Sequence, residues 1–290
     1  MASVRSVVKF LGLGALAAVA AVAASLVARP QLRAELIAEL NDPAGLPTLE
    51  DDPRVHSEPE ARACAEAVAD ALPDAIAKIE AAHGRPFARP PIVAVFADED
   101  AYARANGLGD ADVAGVSRAG RAMLSPYFCA HERYRLGSVL AHELSHVHFF
   151  GWRPRGTPRP PQWFTEGLAV MASDGGAAES VTDAQAAQAI RDGYGVILDA
   201  TPWSDFLAIP FAAEPPCGKG CVVRSFRQRL AYRQAAIFVA WLRRSDPDGF
   251  SRLMRALEGG ADFDPAFRAA YGATPAERWK DFTATLQASR

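Results

Sequence analysis

Apolar residues recur every three or four positions over much of the second half of the chain, a spacing typical of amphipathic helices. We predict helices over 134–150, 162–173, 183–193, 226–244, 247–258, 263–271 and 275–288. Residues 200–225 lack this spacing and contain several prolines, so we expect an irregular segment there. The C-terminal part is therefore predicted to be mostly helical.

The first half of the chain combines helical and strand patterns. Residues 60–82 have helical spacing, whereas the apolar, β-branched run at 91–96 is typical of a short buried strand. Residues 112–116 and 121–124 are predicted to form a hairpin around the turn at 117–120. A few strands followed by many helices indicate an α+β fold with a small mixed sheet.

The N-terminal segment, residues 1–28, has the pattern of an export signal. Arg5 and Lys9 precede an uncharged run from Phe10 to Ala28, which as a helix would be about 28 Å long, close to the thickness of a bilayer core. Two interpretations remain open, namely a signal peptide cleaved after residues 21–23 and a single uncleaved membrane anchor. In either case the positive charge before the run predicts an extracytoplasmic location for the rest of the chain.

Residues 29–58 are rich in proline and carry several acids, which is typical of a linker with one short helix at 31–40. We expect the folded domain to occupy 59–290. Its strand-containing part would cover 59–150, and its helical part 151–290.

Composition limits the possible partners. Half of the residues are hydrophobic and 22% are charged, which is typical of a globular chain, and the net charge is only −3. No basic run or stripe with interleaved aromatic residues is present, so we expect no nucleic-acid partner. The sequence carries no signal for an oligomeric state.

Four cysteines follow the N-terminal run, an even number that suits disulfides in an exported chain. Of the three possible pairings we favour Cys64–Cys129 and Cys217–Cys221. Four unpaired thiols are the alternative. A cysteine-bound zinc ion is not expected, because Cys217 and Cys221 have no second pair nearby.

The strongest chemical signal is the segment HELSH at residues 142–146. On a helix, residues four apart share one face, so the imidazoles of His142 and His146 can reach one metal ion. Glu143 lies beside them, where its carboxylate can act on a water molecule as general base.

A third ligand is indicated by Glu166, a lone acid within the otherwise apolar segment 162–169. A buried carboxylate needs a cationic partner. That partner could be one zinc ion shared with the histidines, or an arginine of the preceding loop, which contains Arg153, Arg155 and Arg159. Three protein ligands would leave one coordination position open, as in catalytic zinc sites.

His142-Glu143-x-x-His146 followed by Trp163-x-x-Glu166-Gly167 resembles the gluzincin metallopeptidases, in particular bacterial peptidase-MA-like domains. The resemblance covers roughly residues 60–288 and is strongest over 134–170. It implies a zincin-like fold, a zinc ion bound by the two histidines and Glu166, Glu143 as general base, and a peptide or protein substrate.

The chain also departs from related patterns. Phe149 and Trp152 stand where a metzincin has glycine and histidine, so that subclass is excluded. The Gly-x-Met-Glu-Asn motif of many gluzincin aminopeptidases is absent, which favours an endopeptidase. By resemblance, the strand at 121–124 would be the edge strand that pairs with an extended substrate.

Tyr232 could stabilise negative charge on the substrate oxygen, as a later tyrosine does in related enzymes. A purely structural core or interface role is the alternative. Other histidines are assigned no site: His148 should point to a different face of its helix, and His131, His56 and His83 are expected at the surface.

Two further classes of function remain as alternatives. The chain could be a catalytically silent zinc-binding or scaffold protein of the cell envelope, although a silent site has no use for Glu143. It could also be an envelope protein without a metal whose helical half serves assembly.

Overall fold

The computed structural model describes residues 26–118, 120–199, 201, 203 and 205–288, together with 20, 21 and 24. Most of the predicted signal or anchor segment lies outside these residues. Within the part that the structure describes, no helix has both the length and the apolar character needed to cross a membrane.

Helices dominate an α+β architecture. In chain order the helices are α1 (Pro30–Leu40), α2 (Arg62–His83), α3 (Glu99–Asn106), α4 (Leu136–Trp152), α5 (Gln162–Ala172), α6 (Asp183–Arg191), α7 (Val223–Ser245), α8 (Pro247–Glu258), α9 (Phe263–Tyr271) and α10 (Pro275–Ala288). The predicted helical segments are thus confirmed to within a few residues at their ends.

Local capping explains several of these ends. The Asp246 side chain accepts a hydrogen bond from the Gly249 N–H at the start of α8. Thr182 and Gln185 form a capping box at the start of α6. Gly84 ends α2 with a φ of 72°, a left-handed conformation that favours glycine.

The sheet is small and mixed. Its strands are β1 (Val55–Ser57), β2 (Ile92–Val95), β3 (Gly115–Arg118) and β4 (Arg121–Leu124). The spatial order is β1-β2-β4-β3. The first three strands of that order run parallel, and β3 runs antiparallel to β4, so β3 forms one edge.

Three details differ from the sequence prediction. The first hairpin strand is β3 at Gly115–Arg118 rather than 112–116, so that part of the prediction is wrong; Arg118 pairs with Arg121, so the strand extends into the segment predicted as the turn. Helix α3 was not predicted, because it has only 8 residues and few of them are apolar, too short a stretch to show a repeated spacing. Strand β1 belongs to the segment predicted as a linker, yet Val55 is fully buried within the sheet.

Two hydrophobic cores meet at α4. One core packs α5 against α7 and the helices that follow, around Trp163 and Phe238. The other packs α2 against the sheet and α4, around Leu72 and Val93. Because Phe149 of α4 belongs to the first core and other α4 residues belong to the second, this helix is held rigidly between them.

Both favoured disulfides are confirmed. Cys64 of α2 is bonded to Cys129, which lies in the irregular turn that leads into α4. Cys217 is bonded to Cys221 and closes a short loop before α7. The first bond thus ties α2 to the approach of α4.

Candidate metal centre

Helices α4 and α5 bring three potential ligand atoms together. On α4, His142 Nε2 lies 3.3 Å from His146 Nε2. On α5, Glu166 Oε2 lies 3.3 Å from His142 Nε2 and 3.5 Å from His146 Nε2. The three side chains predicted to converge are therefore within reach of one ion.

These separations suit a tetrahedral ion. Donor atoms bound at ~2.0–2.1 Å to one tetrahedral zinc ion lie about 3.3 Å from each other. The three distances above differ from that value by at most ~0.2 Å. Two imidazole nitrogens and one carboxylate oxygen are also a donor set that zinc accepts. The residues present fit the ion.

Arginine is not the partner of Glu166 in the described part of the chain. The Arg153 guanidinium instead donates to the carbonyl oxygens of Leu257 and Pro158. The Arg159 guanidinium lies 5.0 Å above the ring of Phe150. Glu166 contacts the two imidazoles, and this geometry removes the alternative of a Glu166–arginine ion pair.

Glu143 lies between α4 and the edge strand. Its side chain is 7% exposed. A Cβ placed on Gly115 of β3 would lie 3.0 Å from Glu143 Cγ and 3.2 Å from Glu143 Oε1. Position 115 therefore has no room for a side chain without displacing the carboxylate.

This geometry corrects the predicted edge strand. Residues 121–124 form β4, which lies inside the sheet between β2 and β3. The edge near Glu143 is β3 instead, because the hairpin leads from β3 at the border inward to β4, which pairs with both β2 and β3. An extended chain could pair only with β3 on this side.

Burial and neighbouring charges shift the protonation of the site. Burial raises the pKa of Glu143, and the nearby His142 and His146 offset this rise only in part. For Glu166 burial acts in the same direction, but the imidazoles of His146 and His142 outweigh it and lower its pKa overall. The pKa values of the two carboxyl groups are therefore shifted in opposite directions. Glu166 favours the charged carboxylate, whereas Glu143 holds a proton more readily.

Tyr232 of α7 borders the same site. Its ring stacks on the imidazole of His142, with 6.5 Å between the centroids. Trp203 and Phe206 pack against the ring from the irregular segment, at 6.1 and 6.2 Å. Burial, followed by the charge of Glu166, raises the phenol pKa well above its ordinary value, so the hydroxyl keeps its proton.

A cleft of about 2600 Å³ surrounds these groups. Its lining includes the three candidate ligands, Glu143 and Tyr232, together with Gly115 and other residues of β3. Leu198 and Phe206 are also among the lining residues, so part of the irregular segment between α6 and α7 borders the cleft.

The remaining histidines differ in part from expectation. His148 points away from the cleft, as predicted from its helix position, and it is fully buried. His131 is exposed. The prediction of a surface position is wrong for His56, which is 9% exposed on β1, and only partly right for His83, which is partly exposed and contacts Ser145 and His148 of α4. Sheet pairing buries the first ring, and helix packing covers part of the second.

Sequence reasoning missed two groups around the site. Gly115 gave no signal, because its importance comes from the strand order. Gln162 and Gln228, whose polar side chains offset part of the rise in the pKa of Tyr232 and which line the same cleft, were also missed. Gln162 stands directly before the Trp163-x-x-Glu166 segment, and its position four residues from Glu166 could have suggested that it faces the same cleft.

No family model, curated protein or solved structure matches the chain.

Proposed function

We propose that the protein is a zinc-dependent metallopeptidase, an endopeptidase acting on peptides or proteins, with a zincin-like fold of the gluzincin type. One observation carries the proposal. His142, His146 and Glu166 present three donor atoms within 3.5 Å of each other, beside the buried carboxylate of Glu143.

His142, His146 and Glu166 would hold one zinc ion. When bound, that ion supplies Lewis acidity, which polarises a carbonyl group and acidifies water. Glu143 would accept a proton from the attacking water and then deliver it to the leaving amine. The burial that raises the pKa of Glu143 favours this double role.

Tyr232 is the proposed donor to the substrate oxygen. A phenol that keeps its proton can donate a hydrogen bond to negative charge as it develops. Its position over His142 and in the cleft supports this role. Gln162 and Gln228 would orient the hydroxyl.

The edge strand β3 is the proposed substrate platform. It is an edge strand and its residues line the cleft beside Glu143, so an extended peptide could add to the sheet through main-chain hydrogen bonds. Recognition by backbone groups suits an enzyme that cleaves within a chain.

The two disulfides support an extracytoplasmic location, since such bonds persist in oxidising compartments. The chain would be attached to a membrane by its N-terminal segment if that segment is not cleaved.

The decisive test is Glu143→Gln. We expect this variant to bind one zinc ion at the site but to cleave a peptide library at least 100-fold more slowly, because amide cannot accept the proton. Glu99→Gln, at an exposed position of α3 outside the cleft, is the matched control and should behave as wild type. Full activity in Glu143→Gln would refute the proposal, and a zinc-binding wild type that cleaves no peptide would favour the silent scaffold.

A further inference from the structure

A second group of metal-ligating side chains lies on the opposite side of α4. His83, His148 and Glu258 place one ligand atom each within 4.8 Å of one another. They come from three helices, α2, α4 and α8. His148 is two residues beyond His146, about 200° around the helix, so this group is separate from the cleft.

The imidazole of His148 is arranged as that of a metal-binding histidine usually is. His148 Nε2 lies 3.0 Å from the Arg85 carbonyl oxygen and 3.1 Å from that of Pro86, so Nε2 carries the proton and donates it. The lone pair is consequently on His148 Nδ1. Ligating histidines commonly use one ring nitrogen in this way and bind the ion with the other.

Both Nδ1 atoms are buried and have no hydrogen-bond partner within the described residues. His148 is 0% exposed, and its ring lies 4.3 Å from that of His83, centroid to centroid. The Nε2 atom of His83 is already engaged with Ser145 Oγ at 2.9 Å. Two buried ring nitrogens without a hydrogen-bond partner are costly unless something binds to them.

The backbone also favours a cation here. His83 is the last residue of α2, and Glu258 is the last residue of α8. The carbonyl ends of both helices carry partial negative charge, which attracts positive charge to their C-termini.

We propose that His83, His148 and Glu258 form a second metal site, specific for a divalent transition-metal ion of the zinc class. The site is structural, because His148 and Glu258 are buried, His83 is only partly exposed, and the three side chains lie outside the cleft. An ion there would join α2, α4 and α8, and so would brace α4 from behind.

Arg85 is the group that competes with such an ion. Its guanidinium forms an ion pair with Glu258 Oε2 and stacks 3.4 Å above the ring of Trp152. A carboxylate has two oxygens, so Glu258 can keep this contact and still offer Oε1. Ligand atoms around zinc lie about 3.3 Å apart, so binding would draw the three side chains closer together than they are here.

The test is the zinc content of the purified chain after stripping, reloading with zinc and gel filtration. We expect two zinc ions per chain in wild type and one in His148→Gln, whose amide can still donate to the Arg85 and Pro86 carbonyls. Glu258→Gln, which can still accept from Arg85, should also bind one. His131→Gln, at an exposed histidine, is the control and should bind two.

A His142→Gln/His146→Gln double variant separates this inference from the proposed function. It should keep one zinc ion. The second site would be overturned if wild type binds one zinc ion and the double variant binds none. It would also be overturned if His148→Gln and Glu258→Gln both still bind two zinc ions. If wild type binds one zinc ion, the double variant still binds it and His148→Gln does not, the second site is supported and the peptidase proposal is overturned. Circular dichroism verifies that each variant is folded. If His148→Gln does not fold, the zinc content of Glu258→Gln provides the test instead.

Discussion

At the scale of single residues, the site depends on the space around one carboxylate. Glu143 is held between α4 and β3, and its Cγ lies 3.0 Å from where a Cβ of residue 115 would be. A side chain at 115 would therefore press against the proposed base, so glycine is favoured here by this contact rather than by a turn. Val139, one helical turn before Glu143, closes the same space at 3.3 Å.

Gly115→Ala should move Glu143 or push β3 away from α4. We expect kcat on a peptide substrate to fall about 10- to 100-fold, because small displacements of a catalytic group are costly. The loss of stability should be only about 1–3 kcal/mol, as for other overpacked sites. Steady-state kinetics and urea unfolding measure the two effects.

Gly137→Ala is the matched control on α4 itself. Gly137 is exposed and a Cβ there would meet no atom within 4 Å. Alanine in a helix is favoured over glycine by about 0.5–1 kcal/mol, so this variant should keep full activity and gain slight stability. Equal activity in the two variants would refute the role assigned to Gly115.

At the scale of elements, the distance between α5 and α7 is set by Gly167. A Cβ at this position would lie 2.8 Å from the backbone carbon and oxygen of Ala235. Backbone atoms cannot rotate away as a side chain can. The glycine after Glu166 therefore allows the close approach that brings α5 and Tyr232 of α7 to one site.

Gly167→Ala should force α5 and α7 apart. We expect a destabilisation of about 1–3 kcal/mol in urea unfolding, together with weaker zinc binding because Glu166 moves with α5. Competition with a chromogenic chelator measures the affinity. An unchanged free energy of unfolding and unchanged affinity would show that the two helices tolerate a wider spacing.

Glu179 ties the start of α4 to the segment that follows α5. Arg135 donates to both carboxylate oxygens, at 3.2 and 2.9 Å, and Ser138 Oγ donates to Oε1 at 2.8 Å. Burial raises the pKa of Glu179, but the hydrogen bonds from Arg135 and the other donors outweigh it and lower the pKa overall.

Because the folded-state pKa of Glu179 is lowered, its stabilisation is present above the unfolded-state pKa and is lost as pH falls through the folded value. Glu179→Gln should therefore cost about 1 kcal/mol at pH 7, given the partial exposure of the group. The difference from wild type should shrink in acid. Urea unfolding at several pH values tests this, and a pH-independent difference would contradict it.

At the scale of the whole molecule, two cores are joined through α4 and by a long-range disulfide. Cys64 and Cys129 are 65 residues apart in sequence, whereas Cys217 and Cys221 are 4 apart. Closing a longer loop removes more entropy from the unfolded chain.

Cys64→Ser/Cys129→Ser should lower the free energy of unfolding by about 4 kcal/mol, and Cys217→Ser/Cys221→Ser by only about 2 kcal/mol. Urea unfolding of both double variants provides the measurement. A larger loss from the short loop would mean that local strain or packing, rather than loop entropy, controls the contribution of these bonds.

Helix α4 shows why much of the architecture could be predicted. Its apolar spacing placed it within two residues of the observed ends, and the four-residue spacing of His142 and His146 predicted a shared face. Both features depend on contacts within one or two helical turns. The Cys64–Cys129 pairing was favoured from the sequence, but two other pairings remained open until the structure placed both residues beside each other.

Features that depend on distant segments were not accessible in the same way. Strand β4 was expected at the edge, but pairing with both β2 and β3 placed it inside. The approach of Glu258 to His83 joins residues that are far apart in the chain, and no local pattern predicts it.

By itself the sequence determined most of the helices and the face that His142 and His146 share, because helical periodicity is a short-range property of the chain. It also determined the candidates Glu143 and Glu166, which stand out from their immediate neighbours in the sequence. Only the tertiary structure decided that β3 is the edge beside Glu143, that Gly115 and Gly167 are close-contact positions, and that His83, His148 and Glu258 meet behind α4. These contacts follow from how two cores pack around one helix, and packing between distant segments leaves no periodic trace in the sequence.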